Sequence, residues 1–372
     1  MSRNLLVLVA FALVCIILTP LYKDQQVTFK ETVSRPVILK QEVVIKTSNP
    51  KNIILMCDSF LPITFAGSEL SAYETIKYLR SRGHNVSVYV KTHKVDQYDK
   101  FPIYKYNPND PECREIIINT DVVLFQMSNG HESMEIVKLR NNMTYLFIHM
   151  VNSYDWLLQQ RVSFPVTIIY NSHMTQDTLP TLYDNMRMVP YVDTTKLVMN
   201  RPYTIQNDVV TLINCNQNKG GELLVEIANK MPNVQFLGIK GGYSNQIIEK
   251  ERPQNLTYMD TQKDINVVLR KTGILIMPSK NETWGRTAVE AMASGITVIH
   301  SEAPGLVECV GGAGIQCHRN DADAWCQAIN RIIGDRAVRE HHRQAGFKRV
   351  KEIEAEQVRG RQEFAAKIER TE

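Results

Sequence analysis

The chain has 372 residues, of which 44% are hydrophobic and 22% charged, with seven cysteines and a formal net charge of +4. That composition excludes a largely disordered chain, and so few cysteines in this length exclude a fold built on disulfides. So small a net charge leaves no electrostatic footprint for nucleic acid as a partner. The length gives two domains and a remainder, at about 150 residues per domain.

The remainder lies at the start. Leu5 to Leu18 is apolar without a break, and Thr19, Pro20, Leu21 and Tyr22 extend it before Lys23. This is close to the shortest stretch that spans a bilayer. No small-residue pair of the A-x-A kind follows the apolar core, which favours an uncleaved anchor over residues 1–22 against a cleaved signal peptide or a buried element. Arg3 precedes the stretch, whereas Lys23, Lys30, Arg35 and Lys40 follow it. The positive-inside rule then places the bulk of the chain in the cytosol. Four N-x-[ST] sequons, at Asn85, Asn142, Asn255 and Asn281, keep the lumenal orientation open. Residues 23–50 read as an extended or poorly ordered stem, with Pro36 and Pro50 as breakers.

From Asn52 the pattern alternates. IILMC (53–57) is a short apolar run suited to a buried parallel strand. A helical spacing runs over 69–82 and closes at Gly83. Strands are expected at 86–90, 122–126, 144–149 and 166–172. A second series begins near Asp208, with strands at 209–214, 234–239, 273–279 and 296–301. Helices are expected at 220–230, from Arg286 to Gly295, and at 321–333, with Asp321 as N-cap. Such alternation predicts βαβ units and parallel sheets. The hinge falls between Pro190 and Asn207. The predicted organisation is therefore a domain over 51–200, a second over 201–340, and a charged helix over 341–372. That last helix reads as solvated or as crossing back to the first domain. Its cluster of Arg343, Lys348, Arg349 and Lys351 suits an anionic membrane surface. The loops 92–115 and 127–142 carry no readable motif.

Ligands of open parallel sheets bind beyond the C-terminal strand ends, so the motifs should follow strands. The strongest does. PSKNETWGRTAVEAMASGITVI (278–299) places Glu282 in a loop, Gly285, Arg286 and Thr287 at a helix N-terminus, and Glu290 one turn in. Free backbone N–H groups and the helix dipole there suit a phosphate. Glu290 can accept from ribose hydroxyls. A plain acidic loop capping a helix is the bland alternative. INCNQNKGG (213–221) also follows a strand, and Lys219 can offset phosphate charge. FLPITFAGSELSA (60–72) follows the first strand and offers Gly67, Ser68 and Glu69, where glycine lets a ligand approach the backbone. His149 ends the strand TYLFIH. Asp321-Ala322-Asp323 has the form of a metal-binding D-x-D but reads better as a helix cap. No CxxC pair suggests zinc or redox chemistry.

The 278–299 segment resembles the E-x7-E region of retaining glycosyltransferases of family 4, which have the GT-B fold. Thr297 stands where that family often has proline, and Gly305 and Glu308 match its next loop. The resemblance implies an α/β GT-B architecture, two facing Rossmann-like domains with a central cleft, here preceded by the apolar anchor. It implies a metal-independent transfer of a sugar from a nucleotide-sugar donor to a glycan, lipid or protein-linked acceptor, with retention. By that resemblance the donor side comprises Lys219, Asn214, Gly285, Arg286, Thr287 and Glu290. Asn214 stands where many relatives carry arginine, which halves the usual Arg–Lys clamp. Glu282, His149 and Lys219 form the catalytic set. Gly67, Ser68 and Glu69 correspond to a Gly-rich loop on the acceptor or phosphate side, with Ala66 in place of one glycine. No cofactor or metal is implied beyond the donor. The departures at Asn214 and Ala66 leave open an inactive nucleotide-sugar-binding protein of the same fold. A two-domain binding protein of the periplasmic type would not require the ordered Lys219, Glu282 and Glu290.

Overall fold

The structure, a computed structural model, describes residues 44–126, 138–149, 166–179, 183–197, 208–249 and 251–370. All of these fall within one compact unit, Val43–Glu372. The expected anchor over 1–22 and stem residues 23–43 lie outside the described residues. Among the described residues, no helix is long and apolar enough to cross a membrane.

The first lobe comprises β1 (Asn52–Cys57), α1 (Gly67–Ser81), β2 (Asn85–Val90), β3 (Gln97–Tyr98), β4 (Phe101–Lys105), α2 (Pro111–Asn119), β5 (Val122–Gln126), β6 (Met143–Ile148), β7 (Val166–Tyr170), α3 (His173–Thr178) and β8 (Asp184–Arg187). Its sheet runs β3-β4-β2-β1-β5-β6-β7-β8, and only the β3–β4 pairing is antiparallel. Strand β1 shows why an unbroken apolar run was needed. Ile53, Leu55 and Cys57 enter the core on one face, and Ile54 and Met56 enter the core on the other.

The second lobe comprises β9 (Val210–Ile213), α4 (Gly221–Lys230), β10 (Phe236–Ile239), β11 (Leu256–Met259), α5 (Asn266–Leu269), β12 (Ile274–Met277), α6 (Arg286–Ala293), β13 (Thr297–His300), α7 (Pro304–Val310), β14 (Ile315–Gln316) and α8 (Ala322–Gly334). Its six strands run β11-β10-β9-β12-β13-β14, all parallel. The strand order reverses between β9 and β12, so the loops after these two strands flank a crevice.

One long helix, α9 (Arg336–Glu369), follows. The solvated reading of this tail needs correction. Val350 and Ile353 join the core of the second lobe, whereas Phe364, Ala365 and Ile368 join that of the first. The Phe364 ring packs edge-on against Tyr145 at 5.0 Å and Phe147 at 5.8 Å. At its end Glu369 accepts from Arg82 Nε and Nη2, both at 2.6 Å, and lies 3.1 Å from His84 Nε2. Of the basic cluster, Arg349 donates to the Cys309 and Glu308 carbonyls at the end of α7, and Arg343 pairs with Glu340.

Two further expectations are revised. Residues 44–50, counted above with the stem, are packed on the first lobe. Thr47 N donates to the Arg82 carbonyl at 2.7 Å, and Val44 packs against the core. The stretch 92–115, read as featureless loop, contains β3, β4 and the start of α2. Asp110 caps α2 by accepting from Glu112 N, with Pro111 at the first helical position.

Candidate active site

The loops after β9 and β12 meet. Asn218 Oδ1 accepts from Asn281 N at 3.1 Å, and Asn218 Nδ2 donates to the Asn281 carbonyl at 3.1 Å. This stitching sets Lys219 beside Glu282, and the ammonium donates to Glu282 Oε2. Burial pulls the Lys219 pKa down, but the charge of Glu282, helped by Tyr243, outweighs it and leaves the pKa raised. Lys219 therefore stays cationic in a largely enclosed site.

Gly285 caps α6 with φ +132°, a conformation open to glycine and costly for other residues. An added Cβ there would also come within 2.9 Å of Leu306. The turn leads into Arg286 and Thr287, whose N–H groups open α6. Glu290 is buried and accepts from Arg286 Nε at 3.0 Å, and Arg286 Nη1 donates to the Tyr191 carbonyl at 2.6 Å. Burial raises the Glu290 pKa against the pull of Arg286.

Asn214 sits in left-handed backbone with φ +69°. Its Oδ1 accepts from Gln246 Nε2 at 3.0 Å, so the Asn214 amide is engaged with the loop after β10. In the first lobe, Gly67, Ser68 and Glu69 form the first turn of α1, and Ser68 Oγ donates to Glu69 Oε2 at 2.8 Å. Burial raises the Glu69 pKa, with Asp58 adding to it against the pull of Ser68. His149 follows β6, with Nε2 2.8 Å from Gln126 Oε1 and its ring stacked on Phe147. Burial lowers its pKa to about 4, so the imidazole is neutral at ordinary pH.

The structure thus joins Lys219 to Glu282 and Arg286 to Glu290 directly. It brings His149 to the same place through its backbone, because Thr283 Oγ1 donates to the His149 carbonyl. The contacts of Ser68 and Glu69 stay within their own lobe. Sequence reasoning missed Thr283, Asn171 and Arg319. Arg319 follows β14 and ties the two donor-side loops together by donating to the Pro278 and Gln217 carbonyls, both at 2.9 Å. Asp321 caps α8, and Asp323 pairs with Lys230. Among the described residues no cluster of three His, Cys, Asp or Glu could hold a metal ion. Of the four sequons, Asn255 is buried, its amide nitrogen within hydrogen-bond distance of the Ala228, Met231 and Val234 carbonyls.

Parts of the chain match known proteins. Residues 200–349 match the family described as Glycosyl transferases group 1. Mannosylfructose-phosphate synthase of Agrobacterium fabrum is 26% identical over 154 residues, covering 36% of this chain and 34% of that protein. The lipopolysaccharide core biosynthesis mannosyltransferase LpcC of Rhizobium leguminosarum bv. viciae is 30% identical over 98 residues, covering 26% and 28%. The chain thus spans about a third or less of the length of these curated relatives. Among solved structures, Anabaena HepE in complex with UDP-glucose superposes with a TM-score of 0.70 at 15% identity, over 83% of this chain and 98% of that one. Sucrose-phosphate synthase from Thermosynechococcus elongatus gives 0.66 at 17% identity, over 85% and 100%. The chain has the GT-B-like fold of glycosyltransferases. Over 200–349 its sequence is similar to that of group 1 glycosyltransferases.

Proposed function

We propose that the protein is a retaining glycosyltransferase that moves a sugar from a nucleotide-sugar donor to a glycan, lipid or protein-linked acceptor without a metal. The observation that carries this reading is the Lys219–Glu282 pair at the point where the strand order reverses, beside the N-terminus of α6. It lies in the stretch that matches the group 1 family. HepE, a neighbour in fold, binds UDP-glucose. A ligand of that chemistry suits the charge of this site.

In this reading the donor diphosphate sits between Lys219 and the N–H groups of Gly285, Arg286 and Thr287. The ammonium and the helix dipole, about half a unit charge, stabilise the negative charge that grows as the diphosphate leaves. Glu282 keeps Lys219 charged and aimed before the donor arrives, then takes a sugar hydroxyl. Glu290 accepts from the ribose and is oriented by Arg286. Asn214 holds the neighbouring Gln246 loop and adds no charge. Gly67, Ser68 and Glu69 face the acceptor side. Neutral His149 donates through Nε2 to Gln126, which leaves Nδ1 to accept from a sugar hydroxyl. Attack on the face the diphosphate leaves, within a short-lived ion pair, accounts for retention. Closing the cleft keeps water from the sugar. The segment 1–22 supplies a single membrane pass with the catalytic part cytosolic, which protease protection of membranes carrying the full chain tests.

The test is donor turnover with a panel of UDP-, GDP- and ADP-sugars. Glu282→Ala and Lys219→Ala should each lower kcat by about a hundredfold or more. Unchanged turnover in both variants would show the site assignment to be wrong. Nucleoside diphosphate binding with no product after long incubation would refute transfer itself.

A further inference from the structure

Thr283 follows Glu282 on the loop after β12, yet its hydroxyl reaches the other lobe. It donates to the His149 carbonyl at 2.8 Å and accepts from Asn171 Nδ2 at 3.0 Å. Asn171 is held in place. Its Oδ1 accepts from Thr175 Oγ1 at 3.0 Å and from Ser172 Oγ at 3.3 Å, which leaves the amide nitrogen to face Thr283. His149 and Asn171 directly follow β6 and β7, so the hydroxyl bridges two adjacent strand ends of the first lobe.

A second tie lies close by. The Glu308 carboxylate accepts from the backbone N–H groups of His173 at 2.8 Å and Met174 at 2.9 Å, which open α3. Glu308 belongs to α7, and the start of α7 abuts the loop that carries Glu282. Gly305 N donates to the Glu282 carbonyl at 3.2 Å. A single stretch of second-lobe chain, 282–308, therefore bears the Glu282 carboxylate and both ties to the first lobe.

We propose that Thr283 is a positioning residue whose hydroxyl makes the setting of Glu282 against Lys219 depend on closure of the two lobes. An enzyme with its lobes apart would bind the donor on the second lobe but hold Glu282 out of place. The site would be complete only when β6 and β7 meet the loop. What Glu282 does rests on the transferase reading above. The cross-lobe bonds stand without it.

Two variants of the full chain test this. Thr283→Val keeps the shape and removes the O–H, and Thr283→Ser restores it. The first readout is hydrogen exchange at His173 and Met174, whose amides are bonded to Glu308 rather than to Thr283. Thr283→Val should speed their exchange about tenfold or more, and Thr283→Ser should match wild type. The second readout uses whichever nucleotide sugar of the panel wild type turns over. Thr283→Val should lower kcat about 10- to 100-fold with donor KM within about threefold, and Thr283→Ser should recover it. Unchanged exchange, exchange raised evenly over both sheets, or kcat within twofold of wild type would overturn the proposal. If wild type turns over no nucleotide sugar, the transferase reading fails, and the exchange result alone decides the closure tie.

Discussion

Gly305→Ala perturbs the candidate site without touching a charged group. An added Cβ at 305 would lie 2.3 Å from the Glu282 carbonyl oxygen and 2.4 Å from the Thr283 carbonyl carbon. Ordinary contact begins about 1 Å further out. Both neighbours are backbone, so relief must come from moving the 282–283 loop or the start of α7 by that amount. A shift of about 1 Å near reacting groups costs on the order of a hundredfold in turnover. Overpacking of this kind costs about 1–3 kcal/mol in stability. The assay is kcat with the accepted donor, alongside urea unfolding. Gly312→Ala is the control, because an added Cβ there meets nothing within 4 Å. It should leave both measurements within error of wild type. A Gly305→Ala enzyme that keeps turnover within threefold of wild type would refute the claim that this backbone sets Glu282.

The far end of α9 offers a contrast between two neighbours. Phe364→Ala should cost about 3–5 kcal/mol in urea unfolding, because the ring is fully buried among Tyr145 and Phe147. Lys367→Ala should cost less than about 1 kcal/mol although Lys367 pairs with Asp184 at 2.8 Å, because that carboxylate is 63% exposed. Comparable losses for the two would contradict this account of how the helix is held. Acid should destabilise the fold through its buried histidines. Burial holds His84 and His300 below the ordinary histidine pKa against the pull of Glu369 and the Ser301 carbonyl, and it holds His149 at about 4. Below about pH 6.5 the unfolded chain takes up protons that the folded chain refuses. Stability present at pH 7 is therefore lost toward pH 5, by at most about 1.4 kcal/mol per pH unit for each histidine. Urea midpoints at pH 7, 6 and 5 should fall for wild type and fall less steeply for His84→Gln. A midpoint that rises with acid would refute the assignment.

The central strands were legible because both faces of each sheet are covered, which writes them as unbroken apolar runs. Edge strands carry no such mark: β8 is DNMR, and β14 is two residues long. The expected strand over 166–172 stops at Tyr170 because Ser172 turns the chain into α3, its Oγ accepting from Thr175 N at 3.1 Å. The S-x-x-T spacing was the available signal. Helix α9 hid its buried stripe because it serves two cores. Val350 and Ile353 face one lobe, while Phe364 and Ile368 face the other, so no single face is apolar throughout. At the candidate site, the strand ends and helix starts legible in the sequence are the segments that carry Lys219, Glu282 and Glu290, and the structure sets Lys219 against Glu282. Nothing local marked the cross-lobe bonds of Thr283 and Glu308, since their partners lie more than a hundred positions away.

The crossing of α9 also orders how the chain can fold as it is made. The first lobe's sheet is complete once β8 has been synthesised, but its core still lacks Phe364, Ala365 and Ile368. Tyr145 and Phe147 must wait for about two hundred further residues, roughly ten to forty seconds of synthesis at typical rates. During that time the earlier half presents an open apolar groove, and the later half must leave the ribosome before it closes. A ribosome that stalls within the second lobe would therefore release a first lobe with that groove uncovered, a surface that chaperones and proteases can recognise.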